Sequence, residues 1–149
     1  MYKQVMSIKD SPYCECLYFS MGAFSREMQK LADIAFGEVG LSPSHAFVLM
    51  TVNSRKSVRP GDIASEIFLS PSTVTRLIDK LELLKLVEKQ SEGKYMIITP
   101  TSKGMEKDLK IRKAWQNLNN LYTERLTQSF SKKLIDNLHE AYVKSNTTH

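Results

Sequence analysis

The segment that most constrains the fold is residues 69–82, Leu-Ser-Pro-Ser-Thr-Val-Thr-Arg-Leu-Ile-Asp-Lys-Leu-Glu. Its apolar side chains recur every three or four residues, which predicts a helix that buries one stripe: Val74, Leu77, Ile78 and Leu81. Ser70 is placed to cap the first turn, and Pro71 suits the first helical position because that position needs no backbone N–H. The opposite face is polar and carries Ser72, Thr73, Arg76, Asp79 and Lys80. Hydroxyls and a guanidinium near the start of a helix suit the phosphates and base edges of the DNA major groove.

The residues around this helix predict a winged helix-turn-helix. Arg59-Pro-Gly-Asp62 opens a short third helix, and a tight turn at residues 69–71 joins it to the fourth helix. Two short strands follow, residues 86–90 and 95–99, and Gly93 supplies a positive φ in the turn over residues 91–94. A charged hairpin directly after a helix-turn-helix is typical of a wing that reaches the DNA backbone or minor groove.

Amphipathic helices are predicted on both sides of this lobe. Between about Tyr13 and Val39 the apolar residues alternate by four and three, a heptad-like stripe that indicates a dimer element. A second helix restarts at Ser42-Pro43, Thr101 caps a long fifth helix, and Ser131 caps a final helix. The fold class is therefore predicted to be mainly α with a small β-hairpin wing. We expect dimerisation helices in residues 1–40 and 101–149, and a DNA-binding lobe in residues 41–100.

Charge and composition favour a nucleic-acid partner and disfavour other classes. The formal net charge is +5, and the excess of Lys/Arg over Asp/Glu is eight to six in residues 55–94 and nine to five in residues 95–149. This balance favours contact with a polyanion. The sequence shows no basic leader with an apolar run and no membrane-length apolar stretch, so we expect a cytoplasmic protein without a membrane partner. It shows no Gly-rich phosphate loop, no GxSxG and no metal-spaced histidines, so we expect neither an enzyme nor a metal or cofactor.

Candidate DNA contacts lie on the fourth helix and among nearby cations. Arg76 is the candidate for base readout, because a bidentate arginine–guanine contact discriminates by about 1–3 kcal/mol. The other predicted contacts are hydroxyls and cations: Ser70, Ser72, Thr73, Thr75, Lys80, Arg55, Lys56, Arg59, Lys89 and Lys94. An alternative interpretation is a protein-binding winged helix, which would require an apolar face on the fourth helix.

Several motifs resemble the MarR family of bacterial transcription regulators. They are Phe24-Ser-Arg-Glu27, the run from Leu41 to Leu49, Ile63-Ala64 followed by Leu69 to Leu81, and Thr101-Ser-Lys-Gly104, which is similar to the family's Thr-x-x-Gly after the wing. The resemblance implies an obligate homodimer formed by the first, fifth and sixth helices. It also implies two lobes that read a pseudo-palindromic operator, commonly as a repressor, and release from DNA by a small aromatic or phenolic ligand.

The chain departs from the family pattern at three places. The wing has Ser91-Glu-Gly-Lys-Tyr95 where the family carries Asp-x-Arg, so Lys94 is the cation near the tip and wing contacts should be weak or confined to phosphate. Lys85 stands where the family often has glycine, which costs about 1 kcal/mol if the position is left-handed. Pro100 stands where leucine is usual.

An effector pocket and a thiol switch are two further hypotheses. Trp115 would line an effector pocket with Phe24, Met28, Phe47 and Tyr122, although aromatic and methionine residues at helical spacing also suit a plain core. The oxidant-sensing branch of the family has a reactive cysteine near the start of its first helix, and the chain carries Cys14 and Cys16 in that neighbourhood.

The register of the family motif places Tyr18, rather than either cysteine, closest to the expected position of that reactive residue. Two residues of separation on a helix would set Cys14 and Cys16 on nearly opposite sides, which argues against a disulfide between them. The alternative to a thiol switch is that both are unreactive buried thiols. His45 is interpreted as a surface or hydrogen-bonded histidine rather than a metal ligand.

Overall fold

Three helices begin where the sequence pairs an extended residue with proline, at Ser42-Pro43, Arg59-Pro60 and Ser70-Pro71. The Ser70 hydroxyl accepts a hydrogen bond from the backbone N–H of Thr73 at 3.3 Å, as a cap requires. The computed structural model describes residues 6–147 and, within them, is mainly helical with one β-hairpin, which confirms the predicted fold class. Its elements are α1 Leu17–Phe36, α2 Pro43–Arg55, α3 Pro60–Ile67, α4 Pro71–Leu83, β1 Val87–Glu92, β2 Tyr95–Pro100, α5 Ser102–Glu106, α6 Asp108–Leu126 and α7 Gln128–Asn146.

The chain forms two compact units, one from Met1–Ala32 with Tyr122–His149 and one from Asp33–Leu121. The second unit has a continuous apolar core contributed by α2, α3, α4, the hairpin and α6. The predicted stripe of α4 faces this core, because Val74, Ile78 and Leu81 are buried and Leu77 is half-buried. The core therefore fixes which face of α4 remains outside. Other large side chains buried there are Leu49, Ile63, Leu86, Ile98 and Ile111.

The hairpin is longer and its turn tighter than the sequence predicts. Glu92 pairs with Tyr95, so the turn consists of Gly93 and Lys94 alone rather than four residues, and Gly93 has the expected positive φ of 61°. The strand β2 extends one residue beyond the predicted range of 95–99, because Pro100 pairs with Val87. The predicted turn over residues 91–94 was too long, because Ser91 and Glu92 pair with Met96 and Tyr95 and so belong to the strand β1.

A second backbone connection ties β2 to the α2–α3 loop. Val58 and Ile98 form an antiparallel bridge in which each backbone N–H donates to the other residue's carbonyl, at 3.1 and 2.8 Å. The loop is thereby held against the hairpin at the start of α3. Arg59, the next residue, caps α3 in an extended conformation.

The prediction of one long fifth helix after Thr101 is wrong, because the short helix α5 ends at Glu106 and a separate helix, α6, begins at Asp108. The Gly104 carbonyl accepts a hydrogen bond from Asn53 Nδ2 at 3.1 Å, whereas in an uninterrupted helix it would accept from the N–H of Asp108. The same Asn53 Nδ2 also donates to Asp108 Oδ1 at 3.1 Å. A side chain from α2 thus marks the break between the two helices.

The boundaries of the terminal helices also differ from the prediction. α1 begins at Leu17 rather than Tyr13, because residues 11–16 form successive turns, with Cys14 N–H donating to the Ser11 carbonyl at 3.2 Å. Cys14 and Cys16 therefore precede the helix instead of lying on it. α7 begins one turn before the predicted cap, with Thr127 as its N-cap, and the Ser131 hydroxyl donates to the Thr127 carbonyl at 2.8 Å.

Positive φ angles occur both at a glycine and at a lysine near the ends of helices. Gly40 ends the 3-10 turn Gly37–Val39 with a φ of 72°. Lys85 has a φ of 59°, so the position after α4 is left-handed although a lysine occupies it. Among residues 6–147, no helix combines the length and apolar character needed to cross a bilayer.

Candidate nucleic-acid interface

At the N-terminus of α4, the hydroxyl of Ser70 contacts two further hydroxyls. Ser70 Oγ lies 3.2 Å from Ser72 Oγ and 2.8 Å from Thr73 Oγ1. The Thr75 hydroxyl donates to the Pro71 carbonyl at 3.0 Å and keeps its acceptor capacity. Hydroxyls at the positive end of a helix dipole form an environment that favours phosphate oxygens.

The cations of α4 lie on the same exposed face as these hydroxyls. Ser72, Arg76 and Lys80 follow one another at intervals of four residues, and all three are exposed. Within the described residues, neither Arg76 nor Lys80 has a carboxylate within ion-pairing distance. The face therefore offers a full guanidinium and a full ammonium to solvent, next to donors and acceptors that can reach base edges.

Two of the predicted phosphate contacts, Arg55 and Lys89, form ion pairs inside their own unit. Arg55 donates from Nε and Nη2 to Glu66 Oε2, at 3.2 and 2.8 Å. The ammonium of Lys89 forms ion pairs with the carboxylates of Asp79 and Glu82, the latter at 3.1 Å. The hydrogen bonds to these two carboxylates raise the pKa of Lys89. Both charges are offset by partners seven or more residues away, for which the local sequence gives no signal.

The remaining cations around the loop and wing have different surroundings. Lys56 follows the last residue of α2 as its C-cap, with a φ of 65°, and its ammonium lies 3.6 Å from Met105 Sδ. Arg59 lies over the ring of Tyr95, with its guanidinium carbon 3.9 Å from the ring centroid, and Lys94 Nζ lies 5.5 Å from the same centroid. The structure thus brings Arg59 to the wing, a contact that the sequence interpretation missed.

His45 lies at the edge of the interface and has a hydrogen-bond partner. Its Nδ1 lies 2.6 Å from the Ser42 hydroxyl, which donates when this nitrogen is unprotonated. Burial lowers the pKa of His45, and the ammonium of Lys80 lowers it further. The neutral form is therefore favoured in the folded protein.

The five residues proposed for an effector pocket are divided between the two units. Phe47 and Trp115, both in Asp33–Leu121, make an edge-to-face contact with centroids 6.3 Å apart, and Phe47 makes a second one with Phe36 at 6.1 Å. Phe24, Met28 and Tyr122 belong to the other unit and are half-buried.

Both cysteines are free thiols, and they differ in accessibility. Cys14 is half-buried and Cys16 is exposed, so the interpretation of these residues as buried thiols is wrong.

Comparison with known proteins identifies the lobe. Residues 39–94 match the model of the MarR family. The winged-helix lobe belongs to the MarR family. A search of curated proteins found no match. The MarR match runs from the end of the 3-10 turn before α2 to Lys94 in the hairpin turn, and so contains the whole polar face of α4.

Solved structures extend the likeness of fold beyond the MarR lobe. A mutant E. coli MarR complexed with operator DNA is 14% identical, with a TM-score of 0.76 over 88% of this chain and 98% of that one. S. aureus MepR in complex with DNA is 16% identical, with a TM-score of 0.74 over 86% and 97%. A probable transcriptional regulator from Pseudomonas aeruginosa is 13% identical, with a TM-score of 0.78 over 85% and 97%. At these identities the comparison shows a shared fold.

Proposed function

We propose that this protein is a sequence-specific DNA-binding transcription regulator that acts as a homodimer on a pseudo-palindromic operator, as a repressor. Residues 41–100 would serve as the DNA-binding lobe, and residues 1–40 and 101–149 as the dimerisation segments. The observation that carries the proposal is the exposed face of α4. Ser72 and the half-buried Thr73 lie in the capped first turn, and the exposed Arg76 and Lys80 follow one and two turns later. The two cations have no carboxylate partner among residues 6–147.

This face also separates the proposal from a protein-binding winged helix. A partner protein would need apolar area at the centre of the contact, because interface cores are depleted of charged residues. The apolar residues between Pro71 and Glu82 are instead turned towards the core, where Val74, Ile78 and Leu81 are buried. The exposed apolar residue of α4, Leu83, is the last residue of the helix. Two of the structurally similar proteins, MepR and the mutant MarR, were solved as complexes with DNA, which adds support.

The test is fluorescence anisotropy of the full chain on its own upstream DNA and on a scrambled duplex of equal length. We expect salt-sensitive binding that favours the upstream DNA. Arg76→Ala should weaken specific binding by about 10-fold or more and reduce the ratio between the two duplexes. Arg125→Ala is the matched control, since it removes the same charge from an exposed site on α6. Equal affinity for both duplexes, or equal effects of the two variants, would contradict the proposal.

Dimerisation is supported by apolar side chains exposed on α1 and α7. Leu17, Tyr18 and Met21 are exposed on α1, and Ile135 and Leu138 on α7. Contiguous apolar surface of this kind marks interaction sites, because monomers seldom leave it in water. A homodimer carries two α4 helices, one for each half of a pseudo-palindrome.

Light scattering tests the dimer directly. We expect a mass of twice 17.0 kDa for the full chain. Leu138→Glu should shift the mass towards one chain, whereas Lys133→Glu, a charge change at an exposed position on the same helix, should leave the dimer intact. A monomeric wild type at micromolar concentration would refute this part of the proposal.

The signal that releases the DNA has two candidates. A small aromatic ligand would quench or shift the fluorescence of Trp115, the single tryptophan, as it displaces the protein from its operator. A thiol switch would act through Cys16, whose side chain is exposed. Hydroperoxide-dependent release that Cys16→Ser abolishes would identify the thiol mechanism, and release that the variant leaves unchanged would exclude that residue.

A further inference from the structure

The cations near the wing fall into two groups according to what holds them. Arg55 and Lys89 are held by carboxylates, Glu66 for the first and Asp79 with Glu82 for the second. Arg59 and Lys94 are held by an aromatic ring, that of Tyr95. A carboxylate offsets the positive charge that it binds, whereas an aromatic ring attracts a cation through its quadrupole and leaves the net charge in place.

The geometry at Tyr95 leaves the hydrogen-bonding groups of Arg59 available. The guanidinium carbon lies 3.9 Å from the ring centroid, the distance of a stacked contact. Stacking uses the face of the guanidinium, while its N–H donors lie in the plane and point outwards. A stacked arginine is therefore fixed in position and still able to bind a phosphate in bidentate fashion.

The backbone explains why these residues meet. The bridge between Val58 and Ile98 is antiparallel, and continuing its register by one residue sets Arg59 beside Ile97. Tyr95 is then the diagonal neighbour on the same face, within reach of a long side chain. Lys94 reaches the ring from the two-residue turn that the pairing of Glu92 with Tyr95 creates.

Acidic residues in the neighbourhood restrict where a phosphate can bind. An open groove of about 790 Å³ lies between α3 and the wing, and its lining includes Arg59 together with Asp62, Glu66 and Glu92. Glu66 is occupied by Arg55, while Asp62 and Glu92 would repel an anion inside the groove. An anion would therefore bind Arg59 outside the groove, and Lys94, whose Nζ lies 5.5 Å from the same ring centroid, adds a second positive charge near the ring.

We propose that Tyr95 is a positioning residue for DNA binding, whose ring gathers Arg59 and Lys94 into one site for a backbone phosphate beside the wing. This inference rests on the proposed function, because the ligand is the DNA that α4 reads. Through the contact with Tyr95 the wing gains the guanidinium of Arg59, whereas its own turn, Gly93 and Lys94, contains no arginine. The site binds phosphate and reads no base, so its contribution is the same for every DNA sequence.

The test uses the anisotropy assay with the full chain and with variants of Tyr95. Tyr95→Leu should weaken binding to upstream and scrambled DNA equally, on the order of 10-fold, and lower the salt slope by about 1 for each phosphate that the variant no longer neutralises. Tyr95→Phe keeps the ring and should bind as wild type does. Arg76→Ala is the contrasting variant, because it should change the ratio between the two duplexes.

A double-mutant cycle separates positioning from general support of the wing. If Tyr95 acts through Arg59, Arg59→Ala should weaken DNA binding in the wild type and have little further effect in Tyr95→Leu. Additive effects of the two changes would overturn the inference. It would also be overturned if Tyr95→Leu bound DNA as tightly as the wild type while Arg76→Ala still weakened binding. In that last case the regulator proposal survives, whereas a wild type that binds no DNA would overturn both.

Discussion

Gly104 lies where the backbone of α5 touches the residue that precedes β1, and replacing it with alanine should destabilise the protein. A Cβ at this position would fall far inside van der Waals contact of the Leu86 carbonyl oxygen, 3.0 Å from Leu86 C and 3.3 Å from Leu49 Cδ1. The obstacle is backbone, which cannot rotate away as a side chain can. Gly104→Ala must therefore push α5 away from the end of α4.

The cost can be worked out from the bonds that this shift strains. The Thr101 hydroxyl donates to the Lys85 carbonyl at 2.8 Å, Thr101 N–H to the Leu86 carbonyl at 3.2 Å, and Asn53 to the Gly104 carbonyl at 3.1 Å. Each is worth about 1 kcal/mol, and forced overpacking itself costs about 1–3 kcal/mol. Alanine returns about 1 kcal/mol through its better helix propensity. If all three bonds are lost, the net loss of unfolding free energy should be about 3–5 kcal/mol.

Urea unfolding at a fixed protein concentration measures this loss, since the stability of the proposed dimer would depend on concentration. Gly61→Ala is the matched control, because Gly61 lies in α3 with no atom within 4 Å of a built Cβ. The control should be neutral or stabilising by up to about 1 kcal/mol. A Gly104→Ala protein as stable as the wild type would refute the close approach of α5 to Leu86.

Three further outcomes follow from single side chains. Lys85→Gly should raise the unfolding free energy by about 0.5–1 kcal/mol, because a lysine at a φ of 59° is strained, and a decrease in urea unfolding would contradict this. Lys89→Met should lower it by about 0.5–1 kcal/mol through the lost ion pairs with Asp79 and Glu82, with a smaller loss at high salt; equal losses at low and high salt would argue against an electrostatic cause. His45 has a lowered pKa in the folded state, so the folded protein binds fewer protons than the unfolded chain and stability should fall as the pH drops below about 6.5. His45→Gln should flatten that part of the pH profile, measured by urea unfolding between pH 5 and 8, and an unchanged slope would show that another group titrates there.

The sequence predicts most accurately what depends on neighbouring residues. The cap at Ser70, the proline at position 71 and the buried stripe of α4 each follow from residues within one or two helical turns, and all three are confirmed. The left-handed turn at Gly93 follows from the same kind of local chemistry. These features need no knowledge of the tertiary fold, so propensity and periodicity are sufficient to find them.

Errors arose where a distant side chain changed the local structure. The break between α5 and α6 coincides with a hydrogen bond from Asn53, which lies 51 residues before Gly104 in the sequence. No periodicity in residues 101–126 reveals that donor. The start of α7 was misplaced for a more local reason, because Thr127 and Ser131 are both good cap residues and only Thr127 has the required extended ψ.

The same limit governs the candidate interface, where counting charges treats all cations alike. Arg55, Arg59 and Lys89 are equivalent in the sequence, each a basic residue close to the helix-turn-helix. In the fold, Arg55 and Lys89 are offset by carboxylates, whereas Arg59 is carried to the wing by a backbone bridge and keeps its charge. A phosphate responds to the charge that remains unpaired at the surface. The pairing of each cation in the folded lobe, rather than its type, is therefore what ranks it as a candidate for the proposed DNA contact, and Arg76, Lys80 and Arg59 rank first among the candidates.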